Sequence, residues 1–104
     1  MSTTLPPDEL DQLLKAGGVL LLDVRRKTDR DADPAGIPGA EWRDPEAVND
    51  WRANLPRDRP VVVYCVRGGS VSRSVTAALS ETGTRPRYLE GGVEAWKASG
   101  RATG

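Results

Sequence analysis

The chain has 104 residues, of which 29% are charged, and a formal net charge of zero. No global field therefore directs it toward nucleic acid or an anionic membrane surface. One cysteine and no histidine exclude an internal disulfide, Ser-His-Asp and Cys-His dyads, and zinc or iron–sulfur sites built on their usual ligands.

A chain of this length supports one domain, residues 1–104, around a single core. The first helix is expected from Pro6 or Pro7 to Ala16. Proline suits a first helical turn, Leu10, Leu13 and Leu14 form an apolar stripe, and Gly17-Gly18 stop it. Val19 to Leu22 is a continuous apolar run, the pattern of a strand covered on both faces, and it ends in Asp23-Val24-Arg25. Charged groups thus stand at the carboxyl end of a strand, the edge where open α/β sheets bind ligands. The polar stretch from Arg26 to Gly39 reads as a long surface loop, and Ala40 to Trp42 as a short strand.

Asp44-Pro45-Glu46 opens the next helix with a capping aspartate and a first-turn proline, and Val48, Trp51 and Leu55 line one face until Pro56. Val61 to Cys65 is the next strand. Beyond the loop that follows it, a helix is expected to begin near Ser72, with Val71, Val75, Ala78 and Leu79 at helical spacing and Gly83 ending it. Arg87-Tyr88-Leu89 is a short strand, and Gly91-Gly92 lead into a last helix with Val93 and Trp96 turned inward. The tail from Arg101 onward is expected to fray. Strands alternating with helices across one chain predict a parallel α/β sheet covered on both faces.

The chemistry concentrates at Cys65. It closes an apolar strand and precedes Val66, Arg67, Gly68, Gly69, Ser70, Val71 and Ser72, a loop that leads into a helix. A thiol delivered into a ring of backbone amides ahead of a helix N-terminus sits in an anion site, which lowers its pKa and favours the reactive thiolate. Glycine at 68 and 69 permits the positive φ and close backbone approach that such a cradle needs. Arg67, fixed within the loop, is the candidate for recruiting an anion. Arg73 stands at the helix start and either faces substrate or lies on the surface. Ser70, Ser72 and Ser74 have no base to activate them and read as capping and loop residues. Trp42, Trp51 and Trp96 read as packing residues.

Four segments resemble the rhodanese-like domain, in particular the single-domain thiosulfate sulfurtransferases. Leu21-Leu22-Asp23-Val24-Arg25 resembles the family's strand ending in Asp-Val-Arg, and Ile37-Pro38-Gly39-Ala40 its Gly-His-Ile-Pro-Gly-Ala turn, with Gly36 where the histidine would stand. Val62-Val63-Tyr64-Cys65 with Gly68 is similar to the active-site strand and loop. Tyr88 to Trp96 is similar to the closing Leu-x-Gly-Gly-x-x-x-Trp signature. The family's usual six-residue loop ends in Arg-Ser. Here Val71-Ser72 falls at that place, with one residue more in the loop, a length that resembles the phosphatase and arsenate reductase branches of the fold. Those branches, however, end the loop in an arginine.

The resemblance implies a three-layer α/β fold with a mostly parallel sheet of about five strands. It also implies sulfur transfer from thiosulfate through a persulfide on Cys65 to cyanide or a thiol, without cofactor or metal. Asp23 and Arg25 then become supports that pair with backbone or with each other, and Arg43 with Trp42 reaches the pocket rim. The alternatives are a persulfide carrier or redox-sensing module and, on loop length alone, an arsenate reductase or phosphatase. The expected partners are a small-molecule sulfur donor and acceptor, with a protein thiol as a further acceptor, and no nucleic acid or membrane. A monomer or weak dimer is expected. The N-terminus lacks the pattern of a secretory signal and no apolar run spans a bilayer. With the unpaired thiol this leads to the expectation of a cytoplasmic protein.

Overall fold

Side chains that alternate along buried strands build two cores from one sheet. Leu20, Leu22, Val24, Val61 and Val63 pack with Leu55, Val75 and Leu79 on one face. Leu21, Val62 and Tyr64 pack with Leu5, Leu10, Ile37, Leu89, Val93 and Trp96 on the other. Successive residues of a strand point to opposite sides, so the unbroken Leu and Val runs stabilise both layers at roughly 1.5–3 kcal/mol for each fully buried side chain.

The computed structural model describes residues 3–101 and Thr103. In chain order the elements are β1 (Thr4–Leu5), α1 (Pro7–Ala16), β2 (Leu20–Asp23), α2 (Lys27–Ala32) and β3 (Glu41–Trp42). They continue with α3 (Val48–Trp51), flanked by 3-10 turns at Pro45–Ala47 and Arg52–Asn54, then β4 (Val61–Tyr64), α4 (Ser70–Ser80), β5 (Pro86–Leu89) and α5 (Gly92–Ala98). The five strands lie in the order β1-β5-β4-β2-β3, every neighbouring pair parallel. The fold is therefore the expected α/β sheet. Its central strands β2 and β4 pair Leu20 with Val61 through Asp23 with Tyr64.

From β2 the chain moves to β3 on one side, whereas from β4 it moves to β5 on the other. The carboxyl ends of β2 and β4 thus flank a crevice at the point where the connections diverge, the place where open α/β sheets bind ligands.

Three expectations need correction, and one strand goes unannounced in the sequence. The segment 26–39 is not wholly a loop, because Lys27–Ala32 form α2. That helix buries no residue, so no apolar stripe announces it; Lys27 and Asp31 pair across one turn at 2.7 Å. The helix after the loop opens at Ser70, not near Ser72, so Val71 and Ser72 belong to its first turn. The two-residue β1 carries no readable pattern and is held by β5. Arg101, expected in a frayed tail, pairs with Asp8 at 2.7 Å and stacks over Trp96 at 5.6 Å; Ala102 and Gly104 lie outside the described residues.

Candidate functional site

Cys65 directly follows β4, whose Val61 and Val63 pack on the face that α4 covers. It is 5% exposed, yet it lines a cleft of about 390 Å³ at the crevice between β2 and β4. From its own loop Val66, Arg67, Gly69, Ser70 and Val71 join it there; from the end of β2 and the start of α2 come Arg25, Arg26 and Asp29. Cys65 therefore borders a space shared with Arg25, Arg26 and Arg67 and with the first turn of an 11-residue helix.

The loop that carries it does not hold itself together. Among the described residues, the backbone N–H groups of 66 to 72 donate to no protein acceptor, and Gly69 caps α4 without a side-chain bond. A chain of unpaired amides beside a thiol is the arrangement of an anion cradle. Support comes instead from α5: Val93 N–H donates to the Cys65 carbonyl at 2.9 Å and Glu94 N–H to that of Val66 at 3.1 Å.

This contact explains the glycine that opens α5. A Cβ on Gly92, at φ +61°, would stand 2.4 Å from the Cys65 carbonyl oxygen and 2.6 Å from Val66 carbon and oxygen. Gly68, at φ +69°, is pressed in return against Gly91 nitrogen and Leu89 oxygen, each 2.9 Å from where its Cβ would lie. Gly68 serves as this packing point and is not among the residues lining the cleft.

Behind the cleft lies a buried ion pair. Arg25 donates from Nε to Asp23 Oδ1 at 3.0 Å and from Nη2 to Oδ2 at 2.8 Å, and its backbone N–H also reaches Oδ1 at 3.0 Å. Its Nη1 donates to the Asp33 carbonyl at 2.9 Å. Arg25 is 2% exposed; burial works against its charge, but the bonds to Asp23 outweigh it and raise its pKa above the ordinary value. Tyr64 stands beside this pair. Its hydroxyl accepts from Ile37 N–H at 3.2 Å, and burial, then the Asp23 carboxylate, raises its pKa. A Cβ at Gly36 would come within 2.6 Å of that hydroxyl, so no side chain fits there unless Tyr64 moves.

Several residues singled out in the sequence lie elsewhere. Arg43 pairs with Glu41 on the surface at 3.2 Å and does not line the cleft, because it leaves β3, separated from β4 by β2. Arg73 is exposed on α4 and also stands outside the cleft. Ser72 is fully buried and its hydroxyl has no partner among the described residues. Trp42 donates Nε1–H to the Arg25 carbonyl at 2.9 Å and bounds a smaller pocket with Gly36 and Tyr64. Trp51 is anchored on the Asp44 carbonyl at 2.8 Å and Trp96 is core, so all three tryptophans support the frame. Arg26 and Asp29 were not candidates on sequence; only the folding of α2 brings them to Cys65. Among the described residues no group of His, Cys, Asp and Glu is gathered to hold a metal, and no helix is long and apolar enough to cross a membrane.

The structure is thus a parallel α/β domain whose one cysteine stands at the switch point of the sheet, in a cleft it shares with Arg25, Arg26 and Arg67. The rhodanese-like domain model matches residues 6–99, and the chain belongs to that family. It is 33% identical over 96 residues to the thiosulfate sulfurtransferase GlpE of Pseudomonas savastanoi pv. phaseolicola, covering 91% of this chain and 87% of that protein. It is also 33% identical to a tRNA sulfurtransferase of Desulfurococcus amylolyticus, where the match covers 88% of this chain and 17% of the relative. Among solved structures, a rhodanese-related protein of Thermoplasma volcanium superposes with a TM-score of 0.84 at 22% identity, covering 97% of this chain and 96% of that one.

Proposed function

We propose that this chain is a sulfurtransferase that carries a sulfane sulfur from thiosulfate, or a similar donor, on Cys65 to cyanide or a thiol. One observation carries the reading. The only cysteine lines the cleft at the carboxyl edge of the sheet, next to backbone N–H groups without protein acceptors. Relatives named as thiosulfate and tRNA sulfurtransferases support the same class of reaction.

In the first half-reaction the Cys65 thiolate attacks the outer sulfur of thiosulfate. The sulfur–sulfur bond of the donor breaks, sulfite leaves with its electron pair, and the outer sulfur stays on Cys65 as a persulfide. Cyanide or a thiolate then takes that sulfur as thiocyanate or a new persulfide, and Cys65 returns as thiolate. Sulfite departs as a stable anion, so no general acid is needed, which suits a chain without histidine. The amides of 66 to 72 and the N-terminal end of α4 stabilise the negative sulfur in both states, and Arg67 draws the anionic donor to the cleft. An unpaired thiol fits a reducing compartment.

The test is thiocyanate production from thiosulfate and cyanide by the chain and its Cys65→Ala variant. Loss of all turnover in the variant is expected; undiminished turnover rejects the reading. A second reading, a persulfide carrier, is favoured by the relative in which the matched segment forms 17% of a longer tRNA sulfurtransferase. Intact-mass measurement separates the two, because a carrier gains one sulfur from the donor without steady thiocyanate release.

A further inference from the structure

Arg25 lines the Cys65 cleft but is not free to serve a ligand. Its Nε and Nη2 are engaged by Asp23, and its Nη1 by the Asp33 carbonyl. At Val71, in the first turn of α4, the cleft wall is apolar and offers no side-chain donor. The cations that remain at the rim are Arg26 and Arg67. Arg26 caps α2 with its backbone, the carbonyl accepting from Arg30 N–H at 3.0 Å, which leaves the guanidinium uncommitted. Neither Arg26 nor Asp29 has a side-chain hydrogen bond or ion pair among the described residues. Arg26 also borders the adjoining hollow formed by Val71, Ser70, Ser74 and Glu46, and so stands over the helix turn where the loop lacks a cation.

We propose that Arg26 is a second anion-binding residue of this site, acting together with Arg67. Together with Arg67 from the loop, it holds the sulfonate end of an anionic sulfane donor such as thiosulfate, while the outer sulfur faces Cys65. The inference rests on the sulfurtransferase reading for the identity of the ligand, not for the charge of the site. Asp29, a carboxylate in the same cleft, opposes the anion and sets the sign of a second test. Glu46 lines the adjoining hollow together with Arg26 and is a further carboxylate near it. A guanidinium matches two sulfonate oxygens at once, whereas an ammonium offers a point charge.

Because Cys65 is the only cysteine, alkylation reports on this site alone. The experiment compares rates with iodoacetate, an anion, and iodoacetamide, its neutral analogue, at low ionic strength. Arg26→Ala is expected to lower the iodoacetate-to-iodoacetamide ratio several-fold and kcat/KM for thiosulfate about tenfold, the scale of losing one partly solvated charge contact. Arg26→Lys should recover much of the ratio and less of the thiosulfate rate. Asp29→Asn is expected to raise the ratio. Arg59→Ala, at the opposite edge of the sheet, removes the same net charge and should leave it unchanged. A ratio that does not fall in Arg26→Ala, or falls equally in Arg59→Ala, overturns the proposal. A ratio that falls as expected while thiosulfate never loads sulfur onto Cys65 supports the clamp and overturns the sulfurtransferase reading instead.

Discussion

Replacing Gly92 by alanine adds one methyl group to a position that touches no ligand, and it should damage both stability and reactivity. The residue sits at φ +61°, where an alanine costs about 1–2 kcal/mol against glycine. The new Cβ would overlap backbone atoms, the Cys65 oxygen at 2.4 Å and Val66 carbon and oxygen at 2.6 Å, which cannot rotate away as a side-chain tip can. Relief requires α5 and the Cys65 loop to separate. That movement breaks the bonds from Val93 and Glu94 to the two loop carbonyls, each worth about 1 kcal/mol net.

The total is about 3–4 kcal/mol, a large part of a domain stability on the order of 5–15 kcal/mol. In urea it corresponds to a midpoint lowered by roughly 2–3 M at an unchanged slope. Gly83→Ala is the matched control, since Gly83 has φ +85° with nothing within 4 Å of its Cβ position; it should lose only the conformational part, about 1–2 kcal/mol. Persulfide loading followed by mass under native conditions should slow in Gly92→Ala and not in Gly83→Ala. If the two variants unfold at the same urea concentration and load sulfur equally fast, the loop is not held by α5 and the account is wrong.

Asp23→Ala leaves Arg25 charged, buried and without its carboxylate, and should cost about 3–5 kcal/mol in urea unfolding; a loss below about 1 kcal/mol would mean that Arg25 escapes to solvent. Tyr64 carries the alkaline pH dependence. Burial, then the Asp23 carboxylate, raises its pKa above the ordinary 10.0, so the stability it contributes is complete below about pH 10 and is lost as pH rises from there toward the higher folded value. The slope is at most about 1.4 kcal/mol per pH unit, and Tyr64→Phe should flatten that limb. The same variant strands the Ile37 N–H, costing about 1–3 kcal/mol at neutral pH. An alkaline limb of equal steepness in both proteins would assign it to another group.

What was readable in the sequence follows from how each element is stabilised. Leu20 to Leu22 and Val61 to Val63 are apolar without a break because both sheet faces are covered, so the central strands and the cysteine at the end of one stand out. Asp44 signals the start of the α3 region and does cap it, accepting from Glu46 N–H at 2.9 Å. The helix α2 gives no such signal, since Lys27-Thr28-Asp29-Arg30-Asp31-Ala32 buries nothing and has no side-chain cap. That silence hid Arg26 and Asp29, whose place at the cleft depends on the chain turning into a helix after β2. Arg43 failed as a candidate for the opposite reason: it is close to the family-like turn in sequence, but the strand order puts β2 between it and Cys65. Of the two places open to Arg73, the structure takes the surface, since its place near the start of α4 says nothing of the direction in which it points.

The division of labour around Cys65 follows from one constraint. A loop whose N–H groups are kept for an anion cannot also use them to hold its own shape, so its rigidity has to come from its carbonyls and from neighbouring elements. Both sources are present. The Cys65 and Val66 carbonyls are taken by α5, and Gly68 rests on the Leu89 to Gly92 backbone. On the opposite wall, Arg25 ties the end of β2 to the Asp33 carbonyl. The Asp33 carboxylate in turn accepts from Lys97 of α5, a bond that holds its carboxyl below the usual range. The two walls of the cleft are thus fastened to the same short helix, from its first residues and from Lys97. Changes in α5 should therefore alter the width of the cleft before they alter the character of the thiol.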